Sequence, residues 1–428
     1  MSAPVAGRLI ASGGLLFIAA LTLRPDPHAV LLVKETPFTC VLCGSLGTMD
    51  VLLNIVLFVP YGIGLRLSGL SRLRTLLVVM ATTGTIELTQ YLFLPGRDAS
   101  LSDLLTNTAG GALGLLLAEH WRLVLAPSPR AARRLAALAG AAWLLVQAVT
   151  AWSLAPSLPA TTWWGQRTPE LGQFDRFTGR LIAAQVAGES LPSTRLRNSA
   201  ALRRALLDQP ATVQASVEVG NPTARLAPIA SIFDENQQEV LILGQRGQDL
   251  VFRLRLRASD LLLRSPGVRL PGALATAPGD TVVLRAQRDS QWFLLESVHG
   301  AKYRSFALAL SPSLGWSLLI PFTNYAWGPD AEWLTALWLA GLLLPFGYWL
   351  RLGWGRTAQG WWLTALCAAA AVAIGLGAVA WLNGMVVPAR SEWAAAAIGV
   401  MLGTLLAGPA LAQAPLASPP SARSASSP

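Results

Sequence analysis

The chain has 428 residues, of which 53% are hydrophobic and only 13% charged, with a mean hydropathy of +0.47. About a quarter of the residues of a soluble globular domain are charged, so this composition excludes an ordinary soluble enzyme and points to an integral membrane protein. The formal net charge of +10 does not mark a nucleic-acid partner, because the basic residues gather in short loops between apolar runs, where they orient helices in a bilayer.

Crossing about 30 Å of hydrocarbon takes roughly 20 apolar residues. Such runs lie at 9–23, 51–69, 75–94, 102–119, 135–152, 332–350, 360–382 and 393–412. The first is short and follows Arg8, as in a signal peptide. No small-residue cleavage site precedes "RPDP", so it reads as an uncleaved helix. The loop after the second run carries Arg66, Arg72 and Arg74, and that after the fourth carries Arg122, Arg130, Arg133 and Arg134. The loop after the sixth carries Arg351 and Arg356. All three fall on one side if the amino terminus is cytoplasmic. The loop 24–49, the Arg97–Asp98 loop and everything between Trp152 and Asp330 then lie outside. Lys34 and Lys302 are the only lysines, and this arginine bias with the Ala and Leu richness suggests a GC-rich bacterial genome.

Between the fifth and sixth runs the material changes. "TVQASVEV" (212–219), "VFRLRLR" (251–257), "TVVLRAQ" (281–287) and "WFLLESV" (292–298) alternate apolar and polar residues, separated by "SPG" and "PGD" turns. This is the pattern of half-buried antiparallel strands and predicts a β-sandwich. The end of the chain, "APLASPPSARSASSP", is Pro/Ser/Ala-rich and predicts a disordered cytoplasmic tail.

Polar residues inside the apolar runs are costly and are functional candidates. Asp50 and Asn54 are four apart at the outer start of the second run, Glu87 and Gln90 three apart near the outer end of the third, and Asp103 and Asn107 four apart at the outer start of the fourth. Arg97 and Asp98 occupy the loop between the last two runs. Spacing and topology predict one cluster beneath the outer surface, with four carboxylates against one arginine. Three roles suit such a set. Paired carboxylates hold a divalent cation that grips a phosphate, or an acid such as Glu87 does general acid or base work, or Arg97 and the amides bind a lipid headgroup without reaction. The structural alternative is a polar lock, in which Arg97 pairs with a carboxylate and the amides bond across helices. Pro60 predicts a packing kink, and Gly110 and Gly114 a close helix contact.

"DVLLNIVLFVPYGIGL", "IELTQ" and "RDASLSDLLTNTAGGALG" together resemble the VanZ-like family over about residues 9–120. The pattern is an Asn and F-x-P-x-G on one helix, Glu-x-x-Gln on the next, then Arg-Asp, Asp and Asn before glycines. Asn54, Phe58, Pro60, Gly62, Glu87, Gln90, Arg97, Asp98, Asp103, Asn107, Gly110 and Gly114 match it. The resemblance implies a bacterial cell-envelope membrane protein and, through the member that names the family, a link to teicoplanin-type glycopeptide resistance. The β-rich insert and the further helices depart from the short family architecture.

Cys40 and Cys43 form "CVLC" in the first outer loop and read as a short disulfide or as two shielded thiols. Zinc lacks a second pair of ligands. Cys367, in an apolar helix, reads as core, and His28, His120 and His299 show no ligand spacing. "APIASIFDENQQEVLILGQRGQDLVFRLR" (227–255) resembles laminin-G or concanavalin A-like jelly rolls through Ser231, Phe233, Asp234, Gly244, Gln245, Gly247, Arg253 and Arg255. Such folds bind glycans, some through calcium. Asp234 and Glu235 are candidate ligands, although a solvated turn is the simpler reading. Trp163 and Trp164 read as an interfacial anchor or a sugar platform. No carboxylate pair marks the insert as a glycosidase.

The expected protein is a mainly α-helical polytopic membrane protein with an extracytoplasmic all-β jelly-roll domain. Residues 1–125 form a VanZ-like four-helix bundle, 126–153 a fifth spanning helix, 154–330 the β domain, 331–412 three further helices and 413–428 the tail. Its expected place is the bacterial inner membrane. Its partners would be membrane lipids and a glycan or lipid-linked envelope precursor, with the cofactor open. Binding and catalysis through Glu87, Asp98 and Asp103 remain the two functional readings.

Overall fold

The computed structural model describes residues 2–23, 39–42, 44–94, 100–171, 174–208, 210–320, 325–355 and 357–412. Arg97, Asp98, Cys43, His28 and the expected tail lie outside the described residues. Among the described residues eight helices are long and apolar enough to cross a membrane, and two β-sheets lie between the fifth and sixth of them. The chain is a polytopic helical membrane protein with a β domain.

The first bundle comprises α1 (Ala3–Thr22), α2 (Gly47–Leu67), α3 (Arg72–Phe93) and α4 (Leu101–Glu119). The helix α1 starts six residues before the expected run, because the exposed Arg8 sits on its surface and does not interrupt it. Lipid offers no hydrophobic drive for helix pairing, so close backbone approach at small residues holds these helices together. A Cβ on Gly62 would lie 2.1 Å from the Gly111 carbonyl oxygen, one on Gly110 2.3 Å from that of Ile55, and one on Gly114 2.2 Å from that of Val59. The expected contact face of Gly110 and Gly114 is thus the α2–α4 seam. Ser71 and Ser100 cap α3 and α4 by accepting the N–H groups of Arg74 and Asp103.

After the short α5 (Trp121–Leu125), α6 (Pro129–Ser153) packs against α8 (Ala331–Trp354). The following span is α9 (Ala358–Val372), a π-helical stretch Ala373–Ala378 and α10 (Val379–Leu382), and the last is α11 (Arg390–Ala412). Together these form a second bundle. Gly347 on α8 meets Val400, and Gly399 and Gly403 on α11 meet Ala340 and Leu344, again backbone to backbone.

The β domain has two six-stranded sheets. One runs β1 (Trp163–Arg167), β5 (Thr223–Asp234), β6 (Glu239–Gly247), β7 (Asp249–Leu254), β8 (Gly267–Leu270) and β12 (Ala326–Trp327). The other runs β11 (Lys302–Ala309), β10 (Trp292–His299), β9 (Thr281–Arg288), β4 (Ala211–Glu218), β2 (Arg180–Val186) and β3 (Glu189–Ser190). Pairing is antiparallel except between β8 and β12. The four expected strands are β4, β7, β9 and β10, although β7 stops at Leu254 and Arg257 enters a 3-10 turn. Strict alternation in β4 buries Ala211, Val213, Ala215 and Val217, which join Ile229, Leu241 and Phe252 of the facing sheet in one core. The remaining helix of the domain, α7 (Ser199–Leu207), buries Leu202 and Leu206.

Trp163 corrects an expectation. It is fully buried, with its indole N–H donated to the Pro159 carbonyl at 3.1 Å, so it is domain core and no interfacial anchor. Its neighbour Trp164, on the opposite face of β1, is 44% exposed.

The β domain rests directly on helix ends. The Met49 N–H donates to the Leu262 carbonyl at 3.4 Å, and Met49, Ala151, Ala380 and Met385 belong to the same core as the sheets. The Val386 N–H donates to Leu310 at 3.1 Å, and Ser311 donates to Glu392 of α11 at 3.4 Å. Arg269 bridges Asp249 and Asp330, the residue before α8, at 3.2 and 3.1 Å. The buried Arg288 donates to the Leu154 carbonyl at the end of α6 at 3.2 Å, where a cation complements the helix dipole, and burial pushes its guanidinium down to about 10. The starts of α2, α8 and α11 and the end of α6 therefore lie on one side, with the β domain.

Candidate functional site

On that side three helices bring polar groups together. Glu87 of α3 is buried, and its Oε2 accepts the Ser100 N–H at 2.9 Å. The Ser100 hydroxyl accepts the Asp103 N–H at 3.0 Å, and Asp103 Oδ1 accepts from the Asn54 amide at 2.6 Å. Glu87, Ser100, Asp103 and Asn54 thus form one connected chain across α3, α4 and α2. Asn107 sits one turn further along α4, 3% exposed. Its amide donates to the Thr83 hydroxyl at 2.9 Å, while its carbonyl oxygen is buried with no hydrogen-bond partner among the described residues.

The other two expected members behave differently. Gln90 is buried and donates to the Thr22 carbonyl at 2.9 Å, tying α3 to the end of α1, which is a packing role. Asp50 stands exposed at the start of α2. Arg97 and Asp98 lie outside the described residues, so the loop partner expected for the carboxylates is not placed here.

Sequence reading missed Thr83, Ser100 and the Thr22 carbonyl. A threonine or serine in an apolar run is unremarkable, and only Ser100 carried a signal, as a helix-capping residue three positions before an acid. At the other membrane face Glu119 accepts from Arg66 at 2.9 Å and from Arg72 at 2.8 Å, a pairing of loop-end arginines that composition alone does not show.

Chemically the site is an acceptor-rich cluster. Two carboxylates, one amide and one spare amide carbonyl oxygen suit a ligand that brings cations or hydroxyl and amide donors. Among the described residues no three His, Cys, Asp or Glu side chains converge as a metal site requires. In the first loop Cys40 is disulfide-bonded, and Cys43 lies outside the described residues. Cys367 is a half-buried free thiol packed against the second bundle's core. In the β domain Asp234 is no solvated turn residue. It is 3% exposed, and its Oδ1 accepts the N–H groups of Asn236 and Gln238 at 2.9 and 2.8 Å, closing the β5–β6 turn.

A family model described as VanZ/LLP1 matches residues 15–123, which takes in α2, α3, α4 and the last part of α1. This supports a VanZ-like membrane domain over the first bundle, the part of the chain that holds the polar chain of residues. No curated protein matches, and no solved structure does.

Proposed function

We propose that this chain is a VanZ-like protein of the bacterial inner membrane whose first bundle binds the polar headgroup of a lipid-linked envelope component or glycan. The observation that carries the reading is the run Glu87–Ser100–Asp103–Asn54, with the spare carbonyl oxygen of Asn107 beside it. Interhelical hydrogen bonds contribute only about 1 kcal/mol each, so two carboxylates are an expensive way to fasten helices. A donor-rich headgroup suits the buried Glu87 carboxylate and the unpartnered Asn107 carbonyl oxygen. Asp50, Arg97 and Asp98 would complete the rim.

The arginine-rich loops orient the amino and carboxyl termini to the cytoplasm and the β domain outward, on the side of the carboxylates. The β domain, jelly-roll-like in its strand signature, would present a second, glycan-recognising surface. A role in glycopeptide resistance follows from the family resemblance alone.

The second reading is an enzyme acting on a lipid-linked precursor, favoured by the link of Glu87 to Asp103 through Ser100, since neighbouring carboxylates divide acid and base roles. Native mass spectrometry of the protein in mild detergent tests binding. A co-purifying lipid-linked sugar, lost on Asp103→Asn, supports it, and a spectrum free of lipid-linked species with added precursor left unbound defeats it. Glu87→Gln separates the readings, because glutamine still accepts the Ser100 N–H. An enzyme loses turnover by orders of magnitude while binding persists, whereas a binder loses affinity by degrees and turns over nothing in either form.

A further inference from the structure

We propose that the β domain carries a binding site for an acidic saccharide, in a cleft of about 960 Å³ beside β1. The inference extends the binding reading but rests on none of the bundle residues.

The cleft is built by a stretch of chain laid along β1. The Gly165 N–H donates to the Thr194 carbonyl at 3.0 Å and the Leu196 N–H to that of Trp163 at 2.8 Å, so Trp164 and Arg195 stand directly opposite each other. Directly opposed side chains share a face. With Trp163 turned into the core, Trp164 turns outward, 44% exposed, on the strand position paired with Arg195, and Arg195 lines the cleft. Arg197 lines it too. Neither Arg195 nor Arg197 makes a hydrogen bond or ion pair among the described residues, whereas Arg180, Arg225, Arg253 and Arg269 of the same domain each hold a carboxylate.

Two further walls are polar. The Thr161 hydroxyl is buried without a partner, and Glu235, exposed on the β5–β6 turn, lines the cleft as well. The combination fits one ligand class. An indole face takes the apolar C–H face of a pyranose, hydroxyl and carboxylate groups exchange hydrogen bonds with ring hydroxyls, and two free guanidiniums grip an acidic substituent, a carboxylate or a phosphate. A neutral sugar would leave both arginines without a counter-charge. A simple anion would not use the indole.

The test is affinity of the full-length protein in nanodiscs for tri-galacturonate, mannose 6-phosphate and maltotriose. The wild type should bind one of the acidic probes at least about tenfold more tightly than maltotriose, as expected for charge-assisted hydrogen bonds. Which acidic probe wins distinguishes a uronate from a sugar phosphate. The double variant Arg195→Gln, Arg197→Gln should erase that margin, Trp164→Ala should weaken all binding, and Arg180→Gln, on another face, should change nothing. All these side chains are exposed, so melting temperatures should stay at the wild-type value. Failure of both acidic probes to bind, or full affinity in the double variant, overturns the proposal. Lipid co-purification measured on the double variant keeps this outcome separate from that of the bundle site.

Discussion

Substituting alanine at Gly62 should damage stability and the polar site together. The added Cβ would sit 2.1 Å from the Gly111 carbonyl oxygen. Carbon and oxygen settle at about 3.3 Å, so α2 and α4 must part by roughly 1 Å. The Asn54–Asp103 hydrogen bond spans the same two helices at 2.6 Å, and a shift of that size takes it beyond hydrogen-bonding distance. Overpacking of about 1–3 kcal/mol and the lost interhelical bond of about 1 kcal/mol give a cost of about 2–4 kcal/mol. Thermal unfolding in detergent, followed by tryptophan fluorescence, should show a midpoint several degrees lower, and any co-purifying ligand should be lost with it. Gly84→Ala is the internal control: no atom lies within 4 Å of its added Cβ, and alanine is the better helix former by about 1 kcal/mol. A Gly62→Ala protein that melts within a degree of wild type, or a Gly84→Ala protein that falls equally, refutes the backbone-contact argument.

Trp163→Ala should cost about 3–5 kcal/mol and collapse the β domain, whereas Trp164→Ala should stay within about 0.5 kcal/mol; limited proteolysis of the two variants separates them. Asp175 accepts both the N–H and the guanidinium of Arg225, at 2.7 and 2.8 Å; burial raises its carboxyl, but those bonds outweigh it and hold the group below its ordinary 3.8. A depressed acid lends stability above its unfolded pKa and loses it as pH falls through the folded one, so the gap in melting temperature between wild type and Asp175→Asn should be full at pH 6 and close below about pH 4. Arg269→Gln strands Asp249 and Asp330 and should loosen the β domain from α8, seen as faster hydrogen exchange at the start of that helix and a loss of about 1–2 kcal/mol at these half-buried positions.

How much of this was readable from residues alone divides along physical lines. Hydrophobic length located all eight spans, and period-two alternation located strands such as β4, because both are local properties of the chain. The i, i+4 spacing of Asp103 and Asn107 placed both on the side of α4 facing α2 and α3. Lateral partners are not local. Nothing in the hydropathy of α6 says that it packs with α8 and not with α4, and the α8–α11 seam at Gly399 and Gly403 went unread. Trp163 and Trp164 show two rules in competition. The interface-belt rule treats the pair alike, while strand alternation separates them, and the β core decided for the second. Thr83 and Ser100 escaped notice because their importance comes from what faces them.

The shared core beneath the sheets has a practical consequence for anyone wishing to study the β domain in water. Cutting the chain after Ser153 and before Ala331 would uncover Leu314, Trp316 and Leu318, all buried in the intact protein, and would strip Trp316 of the Thr335 hydroxyl that its indole meets at 3.0 Å. Such a fragment would display a sticky underside and self-associate. Carbohydrate screens of this molecule therefore belong in detergent or lipid, with every span retained.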